Sequence, residues 1–179
     1  MAKRRAGIVG AGIAGASCAG TLATAGWEVD VFEKSRGAGG RLSTRRMEQG
    51  WATLGSPFIS ARRDPFRSQL RDWARQGWLE PVRGGILQGG ANTSWAQVPL
   101  QNHYRHTIEP SQLVRKLLGN ARLHTGTRVM ALQPRTLILQ GGQVLGDYDC
   151  IICSVPTPQA IPMLEALPLL SERLAEVRF

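Results

Sequence analysis

The sequence is poor in aromatic residues, which fill 6% of its 179 positions. So few rings offer no stacking platform for nucleic-acid bases. Lysine is scarcer still. Only Lys3, Lys34 and Lys116 occur, so the 22 basic residues are almost all arginine. Against 13 acids this leaves a net charge of +9, which suits an anionic partner. The arginines are scattered (Arg4, Arg5, Arg45, Arg46, Arg62, Arg63, Arg71, Arg75) rather than gathered in one block. That dispersal argues against nucleic acid and leaves a phosphate-bearing cofactor or an acidic membrane face.

Acidic residues nearly vanish from the middle of the chain, where Glu109 is the only one between Pro81 and Gly146. His103, His106 and His124 therefore lack acids at metal-ligand spacing, and no metal site is expected. No Ser-His-Asp arrangement can be argued from spacing. Three cysteines, Cys18, Cys150 and Cys153, cannot all pair within one chain, which points to a reducing compartment. The Cys150-Ile151-Ile152-Cys153 spacing resembles half a zinc or redox motif. It sits in an apolar run, Tyr148 to Val155, that reads as a buried strand. Alternation along a strand sends the two thiols to opposite faces.

Long hydrophobic runs are also missing, so no membrane span is expected. The amino terminus has the outline of a secretory signal, Lys3-Arg4-Arg5 before a small and apolar stretch. Glycines at 7, 10, 12, 15, 20 and 26 weaken the helix such a signal needs. The expected location is the cytoplasm. The remaining composition, 42% apolar and 20% charged, is that of a globular protein of one domain and a little over.

Those glycines fall in a pattern with its own mechanism. Ala6-Gly7-Ile8-Val9 reads as a strand, Gly10-Ala11-Gly12-Ile13-Ala14-Gly15 follows at once, and Cys18, Leu22 and Ala25 keep helical spacing until Gly26. Glu28 to Glu33 reads as a second strand. This order of strand, glycine turn, helix and strand is the context in which G-x-G-x-x-G binds a dinucleotide. Gly10 permits the tight turn, Gly12 admits a pyrophosphate, and Gly15 lets helix and strand close. Ile13 and Ala14 open the helix, whose free N–H groups and dipole favour negative charge. Glu33 ends the second strand, where an acid accepts hydrogen bonds from ribose hydroxyls.

A second glycine cluster follows, Lys34-Ser35-Arg36-Gly37-Ala38-Gly39-Gly40-Arg41 and then Leu42 to Arg46. Gly39 and Gly40 permit close backbone approach, and Arg41 offers a bidentate fork to phosphate. Here the sequence resembles the flavin-containing amine oxidase superfamily, whose second signature is R-x-G-G-R-x-x-[ST]. Within it, Phe32 to Gly37 with Gly40-Arg41 and Thr44-Arg45-Arg46 most resembles the bacterial renalase-like proteins. The resemblance implies FAD as cofactor, with Lys34 beside Glu33 in its site. It implies a Rossmann-like, three-layer FAD/NAD(P)-binding α/β domain carrying part of an inserted antiparallel β substrate domain.

Trp51 to Arg62 resembles the family's next landmark, an acid-x-Gly-Ala-Gln-Tyr stretch set against the flavin ring. Gly55 matches, Thr53 replaces the acid, and Pro57 and Phe58 stand in the Gln-Tyr places. Pro57 has no N–H to donate, and Phe58 lacks the hydroxyl. By resemblance, Val129 sits where the family's backbone clamps the adenine.

Elsewhere Asp64-Pro65 reads as N-cap and first position of a helix striped by Phe66, Leu70, Trp73 and Ala74 and stopped at Gly77. Trp78 to about Val98 reads as antiparallel strands. Pro110 opens a helix through Leu118, and short strands, a hairpin over 136–145 and the 148–155 strand follow. Ser171 to Phe179 reads as a helix with which the chain ends. The expected division is 1–77 and 108–179 for the FAD-binding domain and 78–107 for the start of the substrate domain. Family members are nearly twice as long, so the cover over the flavin ring is expected to be missing.

The resemblance implies an oxidoreductase that passes a hydride from a reduced dihydronicotinamide isomer or an amine to flavin and then to oxygen. No acid-base residue can be named. The alternative is a truncated or split flavoprotein, a nucleotide-binding module that needs a partner chain or self-associates through its carboxy-terminal helix.

Overall fold

The computed structural model describes residues 3–90, 93–98 and 100–177. The chain runs β1 (Arg5–Val9), α1 (Ile13–Thr24), β2 (Glu28–Glu33), a 3-10 turn (Gly40–Leu42), β3 (Thr44–Met47), β4 (Gly50–Thr53), β5 (Phe58–Ser60) and α2 (Asp64–Arg75). There follow β6 (Leu79–Pro81), β7 (Ile86–Gly90), β8 (Thr93–Val98), β9 (His103–His106), α3 (Pro110–Leu118) and β10 (Arg122–Thr125). The last part holds β11 (Val129–Gln133), β12 (Thr136–Leu139), β13 (Val144–Leu145), β14 (Cys150–Cys153), α4 (Thr157–Ala160), a 3-10 turn (Ile161–Leu164) and α5 (Pro168–Ala175).

The central sheet has the order β10-β2-β1-β14, and each neighbouring pair is parallel. Alternation along its strands gives it two faces. Ile8, Val29 and Val31 turn toward α1 and α3, where Ala16, Ala19, Leu113, Val114 and Leu118 complete one core. Val9, Phe32 and Tyr148 turn the other way and join Leu132, Leu137 and Leu139 of an antiparallel meander, β11-β12-β13. Helices, parallel sheet and meander form the three layers of a Rossmann-like α/β fold. A side chain at Gly20 has no room, because its Cβ would lie 2.1 Å from the Leu117 carbonyl oxygen, so α1 and α3 touch backbone to backbone.

Several boundaries differ from expectation. Asp64 is the first residue of α2 rather than its cap; Arg63 takes the cap position, and no side chain caps the helix. The strand expected over 148–155 is β14 alone and is half-buried, as an edge strand of the central sheet. Its thiols do face opposite ways: Cys153 packs toward the meander, while Cys150 lies near Cys18 of α1. Burial pushes the Cys18 and Cys153 thiols up, which favours their protonated form. The hairpin β3–β4 has no signal in the Gly/Arg-rich stretch that precedes it. The terminal helix begins at Pro168 and stops at Ala175; Val177 lies beyond it, and Arg178 and Phe179 lie outside the described residues.

The expected antiparallel segment is present as a hairpin, β7–β8, and a three-stranded sheet, β5-β9-β6. The second sheet joins β5, from before α2, to strands that follow it.

Candidate cofactor site

The parallel strands β1, β2 and β14 end on the same side, and ligand crevices in such sheets form at those carboxyl ends. Gly10 leaves β1 with φ +99, a conformation open to glycine, and its N–H donates to the Phe32 carbonyl at 2.9 Å. Gly15 packs α1 onto this turn so closely that a Cβ there would lie 2.1 Å from the Gly10 oxygen. Gly12 differs. Its Cβ would meet nothing within 4 Å, because the position opens into a cavity. Gly12 also caps α1 without any side-chain hydrogen bond, so the free N–H groups of the first turn have no side-chain partner at the cap.

The second glycine cluster folds back onto the first. Gly39 donates its N–H to the Ala11 carbonyl at 2.9 Å and forms a parallel bridge with Gly12. Gly40 approaches so that a Cβ would lie 3.3 Å from the Gly12 Cα. This contact carries Arg41 to the same cavity as the glycine turn. Gly55 supports it from behind: a Cβ on Gly55 would lie 2.0 Å from the Arg41 carbonyl oxygen, and that oxygen accepts the Ser56 N–H at 3.1 Å.

Two cavities of about 630 and 670 Å³ occupy this edge, within the range of small-ligand sites. The second is lined by Gly10, Gly12, Ile13, Ala14, Gly40 and Arg41. The first is largely apolar and is lined by Val129, Met130, Pro158, Pro162 and Met163 among others. Both are lined by Gly10, Glu33, Lys34, Val155, Pro158 and Gln159, so they are two compartments of one groove. The loop before β11 is fixed there because Thr127 donates its N–H to the Glu33 carbonyl at 2.9 Å and Gly126 to that of Ser35 at 2.8 Å.

Glu33 stands between the compartments and is 8% exposed. Its carboxylate accepts the N–H of Ala11 at 2.9 Å and that of Ser35 at 2.8 Å. A carboxylate has about four acceptor positions, so two backbone bonds leave capacity for hydroxyl donors.

The fold thus gathers Gly10, Gly12, Ile13, Ala14, Glu33, Lys34, Gly40, Arg41 and Val129 around one groove, with Gly15 buried against its floor. Pro57 and Phe58 do not line it. Phe58 instead starts β5, and its ring lies tilted against His103 with centroids 5.3 Å apart. Two contributors have no signal in the glycine motifs. Ser154 donates its hydroxyl to the Val9 and Gly10 carbonyls at 2.9 and 3.0 Å and pins the turn from β14. Gln159 reaches the groove from α4.

A groove at the carboxyl ends of parallel strands, with an open glycine turn, an uncapped helix start and a buried acid, defines a dinucleotide-binding domain. Residues 8–73 match the family of NAD(P)-binding Rossmann-like domains. An L-amino-acid oxidase of Bothrops moojeni is 43% identical over 75 residues, which is 41% of this chain and 15% of that protein. An L-amino-acid oxidase of Trimeresurus stejnegeri is 45% identical over 71 residues, 38% of this chain and 14% of that one. The match therefore spans about a seventh of these relatives' length. Among solved structures, 2-methyl-3-hydroxypyridine-5-carboxylic acid oxygenase in its tetrameric form superposes with a TM-score of 0.54 at 23% identity, over 84% of this chain and 39% of that one. A redesigned putrescine oxidase gives 0.61 at 13% identity, over 88% and 59%. These two show the shared fold. The amino-terminal part of the chain is thus similar to NAD(P)-binding Rossmann-like domains and to these L-amino-acid oxidases.

Proposed function

We propose that this chain forms the FAD-binding part of an oxidoreductase that takes a hydride from a reduced dihydronicotinamide isomer or an amine and passes the electrons to oxygen. The observation that carries the reading is Gly12, whose missing side chain leaves a cradle open beside Glu33 and Arg41 in one groove. That cradle fits a pyrophosphate, and the two compartments fit an extended dinucleotide. FAD, when bound, supplies hydride acceptance and reoxidation by oxygen. The chain's own residues bind and orient. The N–H groups at Gly12, Ile13 and Ala14 and the Arg41 guanidinium meet the phosphates, Glu33 and Lys34 meet the ribose, and Val129 borders the base. Pro57 and Phe58, placed outside the groove, border the flavin ring in this reading only by family resemblance. The renalase-like assignment rests on the run from Phe32 to Arg46.

The test is to add FAD to the purified chain, remove free flavin by gel filtration, and record visible absorbance. Retained flavin near one equivalent is expected; a colourless protein overturns the reading. Peroxide release with dihydronicotinamides and with amines then separates the two substrate classes.

A second reading keeps the nucleotide but makes the chain a module completed by a partner chain or by a second copy. Exposed apolar side chains favour it: Leu87 and Trp95 on the β7–β8 hairpin, at 62% and 68%, and Leu169 and Leu170 on α5, at 76% and 50%. A mass by light scattering that stays monomeric across concentration, with full turnover, overturns it. Among the described residues, no helix is long and apolar enough to cross a membrane.

A further inference from the structure

The groove is bridged. Lys34, directly after Glu33, donates from Nζ to the side-chain oxygen of Gln159 at 2.8 Å. The two residues are 125 positions apart, one just past the end of β2 and one in α4. Both line both compartments, so their bond crosses the groove where the apolar compartment and the glycine-turn compartment meet. Both side chains are exposed, while Glu33, which lines the same junction, is buried. The bridge therefore lies on the solvent side of the groove and the acid on the protein side. Gln159 is well placed to hold its end, because α4 is anchored by buried Ala160 and by the Gln159 N–H bond to the Pro156 carbonyl at 2.8 Å.

We propose that Gln159 and Lys34 form a clasp that gates and retains the dinucleotide, with Gln159 as a positioning residue of the cofactor site. The proposal rests on the FAD reading above. A ligand that spans both compartments has to pass the junction, so the bond has to open for entry and again for exit. A bond that opens for both passages slows association as well as release. This separates a clasp from a simple ligand contact. Loss of a contact raises the dissociation rate alone and weakens affinity in proportion. Loss of a clasp raises both rates and leaves affinity nearly unchanged.

The test is stopped-flow flavin fluorescence on the whole chain with FAD as the probe. Gln159→Leu removes the acceptor at similar size. Association and dissociation rates should both rise about 3- to 10-fold, the range for one solvent-exposed hydrogen bond, with Kd changed by less than about twofold. Gln159→Glu replaces the amide by a carboxylate facing Lys34, and both rates should fall. Lys34→Met combined with Gln159→Leu should be no faster than the faster single variant, because the two residues act through each other. Unchanged rates in Gln159→Leu, a rise in dissociation alone, or additive effects in the double variant overturn the clasp while the FAD reading stands. Failure of the unmodified chain to take up FAD overturns that reading and the clasp with it.

Discussion

The carboxylate of Glu33, at the end of β2, accepts the backbone N–H of Ala11 within the glycine turn at 2.9 Å. The same carboxylate accepts the N–H of Ser35 at 2.8 Å, so one side chain fixes the turn, the strand end and the start of the second glycine cluster. Its place at the end of β2 suggests ribose as its partner; in the fold it is a backbone staple.

Glu33→Ala is therefore expected to act twice. Ala11, which is fully buried, loses the acceptor of its N–H, and stability should fall by about 1–3 kcal/mol. Affinity for FAD should fall by a further ~1–3 kcal/mol through the lost charge-assisted bonds. Glu33→Gln keeps an acceptor oxygen and should recover much of the stability but less of the affinity. Thermal unfolding and flavin titration on both variants separate the two effects. Equal FAD affinity in all three proteins removes Glu33 from the site.

Gly12 and Gly15 make opposite predictions although both belong to one motif. The Gly12 Cβ position is open, so Gly12→Val should fold with a melting temperature close to wild type and yet take up no flavin. A Cβ on Gly15 meets the Gly10 oxygen at 2.1 Å and the Ser154 hydroxyl at 2.6 Å, so Gly15→Ala should lose at least about 1–3 kcal/mol of stability before any ligand is added. Circular dichroism melts with flavin absorbance decide both. A Gly12→Val protein that still holds flavin counts against the cradle.

Asp30 predicts an acid limb of stability. Its side chain is 7% exposed on the meander side of β2 and accepts two bonds from Arg122, at 2.9 and 3.2 Å, and one from His124 Nε2 at 2.9 Å. Burial pushes this carboxyl up, but the bonds and charges of Arg122 and His124 outweigh it and hold the pKa below the ordinary value. A depressed acid stabilises the fold above the unfolded pKa, near ~3.9, and loses that contribution as pH falls through the lower folded value. Asp30→Asn should cost about 2 kcal/mol at pH 7 and flatten the stability profile below pH ~4. Urea midpoints from pH 7 down to 2.5 measure both; a profile with unchanged slope below pH 4 refutes the assignment.

His106 predicts a second loss of stability on acidification, at higher pH. It lies on β9 opposite Leu79, is 8% exposed, and neither ring nitrogen has a hydrogen-bond partner among the described residues. Burial pushes its pKa down. The unfolded chain then takes up a proton near pH ~6.5 that the folded protein refuses until lower pH, so stability declines as pH drops below about 6.5. His106→Leu removes two unpaired buried polar atoms and should stabilise the protein, by about 1–3 kcal/mol at pH 5 and less at pH 7. Denaturant unfolding at both pH values provides the check, and a variant less stable than wild type at pH 5 rejects it.

The unequal legibility of these features follows from range. The turn at Gly10–Gly15, the helix to Thr24 and the acid at Glu33 lie within one stretch of chain, where strand alternation, helical spacing and glycine conformation act locally. The pattern of Leu113, Val114 and Leu118 in α3 is legible for the same reason. A residue's role is not legible locally where it depends on what the rest of the chain brings to it. Gly55 reads as part of a flavin-facing stretch, yet its lack of a side chain serves the Arg41 backbone. Pro57 and Phe58 read as neighbours of the ring, but neither lines the groove, and Phe58 pairs with Arg105 of β9.

The sequence by itself determined the glycine turn, the acid that ends β2 and the alternation of strand and helix, because each rests on residues in fixed local order. Only the tertiary structure decided that Gly39 closes on Gly12, that β10 joins the sheet beside β2, and that Ser154 and Gln159 complete the groove. Those contacts join segments up to 145 residues apart. They form when two sheet faces are buried at once, which no local pattern encodes.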